Sequence, residues 1–542
     1  MQKKDYSSLT KEQLLEVIEK LEEKKQYGLV WDEERVPEKV VTDCQDNLPV
    51  LTEVKGKEIF TDENQPTHIL IEGDNYHALS VLNYTHKGKI DLIYIDPPYN
   101  TGNNDFIYND KYVEREDIWR HSKWLNFMNK RLELAKNLLS ERGTIFISID
   151  ENEFAQLKLL CDKIFGEENF IIDIIWNSRK SVSNDTIVSL NHNHTMFYCK
   201  SISFMQRNKT KYRLMATDEK FSNPDNDYRG NWVADPFDAP DIRPNLTYPI
   251  TNPNTGKIYL PPTGRHWRTT EEEYNKFFSE GRIIFGKKGK SKPQLKRYFT
   301  EAEKKGIVPK SIWDDVGTTT NGTQELEKLL GAKLFNNPKP SSLINRIIEF
   351  AGFKDSIVLD FFAGSGTTGQ SVIDCNQRDN GKRKFILATN NENNNGHGKI
   401  LDDVCYPRLK KIISNDNLKY FKTSFVKIDR NRDQLRIDIT KCCTEMLCLK
   451  ESIFNLKQET PDWKIFEQRE RYLAVYYKYA SHTLDELKEE MNKLKGEKVL
   501  YCFTVDSHGL DETKFTAWNN IRLEPIPQKI FEVYKRIFKN DQ

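Results

Sequence analysis

The chain has 542 residues, enough for three or four domains at roughly 150 residues each. Hydrophobic side chains make up 37% and aromatic ones 11%, which supports a large core and excludes wholesale disorder. Lys plus Arg is 82 against 81 for Asp plus Glu, a net of +1, so the chain is no simple polycation and any affinity for nucleic acid must come from local clusters.

Residues 8–26 read as a helix with a capping box at Thr10–Gln13 and Leu14, Leu15, Ile18 and Leu21 on one face, suited to a partner or to the chain's own core. The start of the chain lacks the apolar stretch of a secretory signal, and no run approaches the roughly 18 apolar residues of a membrane span, so a cytoplasmic location is expected. From residue 68 the pattern alternates. Short apolar strands are expected at 68–71 and 91–95, and a helix at 124–140 that Gly143 stops. A buried strand follows at 144–149, then a helix at 154–165 and strands at 170–176 and 195–199.

Residues 201–330 differ, being rich in Pro, Asn, Gly and aromatics without a period. Residues 201–300 hold 18 basic and 11 acidic side chains, a net of +7. Arg282, Lys287, Lys288, Lys290, Lys292, Lys296 and Arg297 come with no acid between them, and Arg265-His266-Trp267-Arg268 mixes charge with aromatic surface. Alternation returns with a helix at 341–350, strands at 357–360 and 384–388 and a helix at 406–413. The tail carries a capped helix from Thr483 and a strand at 499–505. Its cluster Cys442, Cys443 and Cys448 lacks metal spacing and a nearby His, so reduced thiols and no metal site are expected. The expected organisation is an N-terminal segment 1–66, two α/β halves 67–200 and 331–424 of one domain interrupted by an insertion 201–330, and a C-terminal α+β accessory domain 425–542.

Two motifs carry chemistry. Asp96-Pro97-Pro98-Tyr99 closes the strand 91–95, and ligands of open α/β sheets bind outside such carboxyl ends. The prolines remove two N–H donors and stiffen the loop, so that its carbonyls can accept from a planar exocyclic amine beside Asp96, while Tyr99 offers a face for stacking. The second motif, Asp360-Phe361-Phe362-Ala363-Gly364-Ser365-Gly366-Thr367-Thr368-Gly369, follows the strand 357–360. It satisfies G-x-G-x-x-G, yet Phe-x-Gly-x-Gly after an acidic strand end suits the compact sulfonium cofactor S-adenosylmethionine better than a dinucleotide.

Asp-Pro-Pro-Tyr resembles the catalytic motif of amino methyltransferases acting on DNA, and Phe-x-Gly-x-Gly their cofactor motif. The catalytic motif comes first, an order similar to the beta class. The blocks 121–128, 148–153 and Asn337-Pro338-Lys339-Pro340 resemble those of the modification subunits of type III restriction–modification systems and related adenine methyltransferases. The resemblance is dense over 68–200 and 311–413 and only positional elsewhere.

It implies a permuted Rossmann-like methyltransferase fold in which Asp96, Pro97 and Tyr99 hold a flipped adenine and Pro98 shapes the turn. Asp360, Phe362, Ala363, Gly364 and Gly366 would line S-adenosylmethionine. Asp74 and Asn75 would meet its adenine, Lys339 and Ser341 its methionine end, and Glu392 its ribose. A plain turn at 73–75 and helix capping by Ser341 are the alternatives. Arg265, Arg268, Lys287, Lys288, Lys290 and Lys292 are the candidates for DNA contact. The implied reaction is methylation of adenine N6 in a short site of double-stranded DNA, by a homodimer with a separate restriction (helicase-nuclease) subunit. Cytosine N4 methylation, or a recognition subunit serving a partner nuclease, are the rival readings.

Overall fold

In the computed structural model the described residues are 10–11, 13–15, 31, 37–103, 105–393, 398–429, 431–478, 483–505, 510, 515–516, 518 and 520–538. Most of the expected helix 8–26 lies outside them, although Thr10 and Gln13 exchange the hydrogen bonds of a capping box at 3.0 and 3.3 Å. Residues 1–207 and 310–542 form one compact unit and residues 208–309 a second.

The larger unit is built on a sheet of ten strands among the described residues: β1 (Asn47–Glu53), β2 (Thr67–Glu72), β3 (Ile90–Ile95), β4 (Leu139–Ile149), β5 (Phe170–Trp176), β6 (Asn193–Cys199), β7 (Ile312–Trp313), β8 (Ile357–Asp360), β9 (Lys384–Thr389) and β10 (Asn417–Lys427). They lie in the order β1-β10-β2-β9-β8-β3-β4-β6-β5-β7, and the six from β10 to β4 are parallel. The parallel strands are apolar on both faces because helices cover both. Alternate residues Ile69, Ile71, Ile93 and Ile95 join a core with helices α1 (Asn75–Thr85), α2 (Arg120–Leu138) and α3 (Phe154–Phe165). On the other face Phe146 meets Phe350, with ring centres 6.4 Å apart. Phe350 belongs to a series of packed helices, α4 (Thr319–Leu330), α5 (Ser341–Ala351), α6 (Thr367–Asp379) and α7 (Tyr406–Ile412).

Three expectations change. Helix α2 ends at Leu138 rather than at Ser140, and Gly143, expected to stop it, lies inside β4. The helical period of Leu138 and Leu139 is overridden because Leu139 pairs with Ile90, and the irregular stretch after it is pinned when Ser140 Oγ and Arg142 Nε donate to Asp91 at 2.8 and 2.7 Å. The second unit is narrower than the insertion 201–330, since β7 pairs in parallel with β5 and draws the chain after 310 into the main sheet.

The boundary at 425 falls within β10, and the tail shares the main core rather than standing apart. It comprises helices α8 (Arg432–Cys442) and α9 (Thr444–Glu451) and a sheet of β11 (Asn455–Glu459), β12 (Trp463–Gln468), β13 (Arg471–Tyr476), β14 (Glu497–Phe503) and β15 (Ile521–Ile526). Helices α10 (Thr483–Lys493) and α11 (Gln528–Phe538) complete it. One face of that sheet packs on α10 through Leu487 and Met491; the other brings Leu473, Val475 and Tyr501 into the core around α1.

Candidate active site

Strands β3 and β8 are neighbours, with Val358 beside Leu92 and Leu359 beside Ile93, so the two motifs leave the sheet side by side. The loop after β3 is held from several directions. Buried Trp124 of α2 donates its indole N–H to the Pro98 carbonyl at 2.7 Å. The Tyr99 hydroxyl donates to Asp96 Oδ1 at 2.9 Å, and Lys339 Nζ donates to Asp96 Oδ2 at 2.6 Å. The same ammonium lies 5.1 Å from the centre of the Tyr99 ring. Burial, reinforced by the Asp96 charge, pushes the Tyr99 phenol well above its ordinary value, so it remains a neutral donor.

The ammonium of Lys339, a residue expected at the methionine end of a cofactor, sits on Asp96. The turn 337–340 brings it there. Asn337 takes a left-handed conformation, and the backbone of 338–340 packs against Gly322 of α4, where an added Cβ would stand 2.2 Å from the Pro338 carbonyl oxygen. Gly322→Ala should therefore displace this turn and destabilise the protein by about 1–3 kcal/mol, as overpacking does. Denaturant melts alongside activity would check it; unchanged stability would mean that the turn yields freely.

The glycine loop is braced from below. Asp360 is 3% exposed, and both of its oxygens are used by its own loop: Oδ1 accepts the Phe362 N–H at 2.9 Å and Oδ2 the Thr368 hydroxyl at 2.5 Å. Burial nevertheless raises its carboxyl to about 7, with the nearby Asp96 charge acting in the same direction. Gly364 and Gly366 have φ of +48° and +79°. A Cβ on Gly366 would lie 3.0 Å from Cys405 Sγ and one on Gly364 would lie 3.3 Å from the Phe335 ring, so the loop is a close-walled cradle. Ala363 donates its N–H to the Ala388 carbonyl at 3.2 Å, and the Phe362 ring packs 5.8 Å from that of Phe127. Ser341 does not cap α5; Pro340 holds the cap position, and the Ser341 N–H donates to Glu325 at 2.9 Å.

Next along the sheet, the ends of β9 and β2 meet through a 3.0 Å bond from the Gly73 N–H to the Thr389 carbonyl. Asp74 caps α1, accepting the Tyr76 N–H at 2.7 Å, and lies 3.3 Å from Arg131. Arg131 is fully buried. It also donates to Asn75 and makes two bonds of 2.9 and 2.8 Å to Glu38. Glu392 is exposed just beyond β9; partial desolvation and repulsion from Asp74 raise its carboxyl. The consecutive strand ends of β2, β9, β8 and β3 thus bring together Asp74, Asn75, Glu392, the glycine loop and Asp96.

The basic candidates lie in the second unit, and half of them are already paired there. Arg265 and Lys292 both bind Asp238, the latter at 2.8 Å, and Arg268 lies 3.6 Å from Asp235. His266 and Trp267 are buried and donate or bond within the unit, Trp267 Nε1 to the Tyr248 carbonyl at 2.7 Å. Lys296 is buried against Asp225 and Asp227. Lys287, Lys288 and Lys290 are exposed and make no ion pair among the described residues.

Sequence reasoning missed three supports: Trp124 under Pro98, Arg131 with Glu38 under the turn 73–75, and Asn100 beside Glu153 and His121. The blocks 121–128 and 148–153 stood out without a role, and their contacts with the catalytic loop supply one.

A family model described as DNA methylase matches residues 90–392. The chain is 34% identical over 383 residues to the Mod subunit of the type III restriction-modification enzyme StyLTI of Salmonella typhimurium, an overlap covering 65% of this chain and 58% of that one. It is 30% identical over 440 residues to the EcoP15I Mod subunit of Escherichia coli, covering 70% and 67%. With the type II methyltransferase M.KpnI of Klebsiella pneumoniae it shares 32% identity over 392 residues, covering 66% and 89%. The chain therefore spans little more than half the length of the StyLTI subunit.

Proposed function

The chain belongs to the DNA methylase family, and from that premise we propose that it transfers a methyl group from S-adenosylmethionine to adenine N6 in a short sequence of double-stranded DNA. The observation that carries this reading is the adjacency of Asp96-Pro97-Pro98-Tyr99 and the glycine loop at the ends of β3 and β8. Similarity to Mod subunits of type III restriction-modification enzymes supports the further reading that it is the modification subunit of such a system; a homodimer and a separate restriction subunit are the assembly we propose for it.

The strand-end residues fit the cofactor. Gly364 and Gly366 leave backbone where side chains would fill the cradle, and Asp360 is a buried acid beneath it. Asp74, Asn75 and Glu392 offer polar groups further along the same edge. S-adenosylmethionine, when bound, supplies a methyl group already activated on a positive sulfur. The protein's task is then positioning and electrostatics, because the lone pair of an aromatic amine is delocalised into its ring. Asp96 and the Pro97 carbonyl accept the two amine hydrogens and turn the lone pair out of the ring plane. Asp96 stabilises the positive charge that develops on nitrogen and takes up the proton. Tyr99 stacks on the base, and Lys339, which holds the same carboxylate, must share it or withdraw. Flipping the base costs a few kcal/mol, and exposed Lys287, Lys288 and Lys290 are the candidates for the phosphate contacts that offset it.

Radiolabelled methyl transfer to DNA, followed by nucleoside chromatography, tests the reading. N6-methyladenine is the expected product; N4-methylcytosine would move the substrate to the rival base, and an unlabelled product would overturn the reading. Asp360 adds a pH dependence. Its ionised form is the better acceptor for cofactor donors, and a carboxyl at about 7 is mostly protonated at pH 6 and mostly ionised at pH 8. Affinity for S-adenosylhomocysteine should therefore rise roughly tenfold between those values. In stability the sign is opposite. A raised carboxyl favours the folded state at acid pH, and that contribution is lost as pH rises through about 7. Calorimetry on wild type and Asp360→Asn checks both, and a flat wild-type profile would contradict them.

A further inference from the structure

Asn100 follows Tyr99 directly. It is fully buried and left-handed, with φ of +59°. Its carboxamide nitrogen donates to Glu153 Oε1 at 2.5 Å and to the Arg120 carbonyl at 3.3 Å. Glu153 occupies the N-cap position of α3, where an acidic side chain ordinarily accepts a first-turn N–H. It makes no such bond. Its carboxylate, also fully buried, turns to the catalytic loop instead and meets no Lys or Arg among the described residues.

The second partner of Glu153 is His121 Nδ1 at 2.7 Å, from the first turn of α2. Arg120 Nε donates to His121 Nε2 at 3.3 Å, which assigns the ring proton to Nδ1 and aims it at Glu153. Gln156 lies 3.4 Å from the same Nδ1. Among the described residues Asn100 Oδ1 and Glu153 Oε2 are buried without hydrogen-bond partners, an arrangement that folding alone disfavours. Glu153 is thus kept dry against the residue that follows the catalytic motif, where burial raises its carboxyl and His121 with the charge of Arg120 offsets it only in part, and it has no part in methyl transfer itself.

We propose that Glu153 and His121 are positioning residues: through Asn100 they fix the backbone at the end of Asp96–Tyr99, and with it the placement of Asp96 and the Pro97 carbonyl on the target amine. The inference rests on the methyltransferase reading. The network touches none of the strand-end residues assigned to the cofactor, so cofactor affinity is independent of it.

The test is steady-state methylation of a duplex carrying the chain's own recognition site, with cofactor affinity measured in parallel. Glu153→Ala should lower kcat on the order of 10²-fold, the cost of a displacement of about 1 Å, and leave KM for DNA and cofactor Kd within about twofold. Glu153→Gln keeps an acceptor for Asn100 and should recover to within about fivefold of wild type. His121→Ala, at the partly exposed end of the network, should lower kcat alone whether or not Glu153→Ala folds. Wild-type kcat in Glu153→Ala or His121→Ala overturns the proposal. So does failure of Glu153→Gln to rescue a folded Glu153→Ala, or equal losses of kcat and cofactor affinity. If wild type itself transfers no methyl, the methyltransferase reading fails and takes this inference with it; active wild type beside unaffected variants condemns the inference alone.

Discussion

Asp96→Asn should reduce methyl transfer by about 10²–10³-fold while leaving cofactor affinity nearly unchanged, the loss typical of removing one group that stabilises transition-state charge. The substitution keeps the shape of the side chain and an acceptor for the Tyr99 hydroxyl, which now sits at 2.9 Å. What disappears is the negative charge at the atom where the amine becomes positive, and the site for its proton. The Lys339 ammonium, 10% exposed at its side chain, would then face a neutral amide in place of a carboxylate. Its repulsion adds to the penalty on a developing cation. The glycine loop draws no bond from Asp96, so filter binding of labelled cofactor should match wild type. A variant that methylates within a few fold of wild type would show that the amine is held elsewhere.

Arg131→Ala should cost about 3–5 kcal/mol of stability, the largest effect expected of any single change away from the catalytic loop. The guanidinium is wholly buried, lies 3.7 Å from the centre of the Phe127 ring, and serves Glu38, Asp74 and Asn75 together. Truncation leaves Glu38, only 8% exposed, as an uncompensated buried charge and frees the turn that caps α1. Adding Glu38→Gln should recover part of the loss, because it removes the orphaned charge. Chemical denaturation of the single and double variants measures both effects. A loss below about 1 kcal/mol for Arg131→Ala would mean that water or a rearranged side chain satisfies Glu38.

The strands that frame the site are legible in the sequence because parallel strands buried on both faces must be continuous apolar runs, and those of β3 and β8 stop abruptly at Asp96-Pro97 and at Asp360. The start of β4 is hidden for a related reason. Leu138 and Leu139 extend a helical stripe, and only the pairing of Leu139 with Ile90 ends it. Lys339 and Asp96 are 243 positions apart, so no local pattern joins them, and a lysine between prolines suits a cofactor carboxylate as well as it suits Asp96. The basic insertion misleads in the opposite direction. Its charges look unopposed along the chain, yet Lys296 and Lys292 fold onto Asp225, Asp227 and Asp238, acids from an earlier strand and loop. Lys292 and Arg297 stay exposed but are paired with Asp238 and Asp235, whereas Lys287, Lys288 and Lys290 are exposed with no ion pair among the described residues.

The most direct test of the central claim, that the Asp96 loop and the glycine loop form one site for adenine methylation, is modification-aware sequencing of DNA from a methylation-free host expressing the chain, beside an Asp96→Ala control. N6-methyladenine confined to one short motif in the wild-type sample and absent from the control is the predicted result; marks on one strand only of an asymmetric motif would add support for the type III assignment. Adenine marks that persist in the control, or DNA left unmodified by folded protein that binds S-adenosylmethionine, would contradict it.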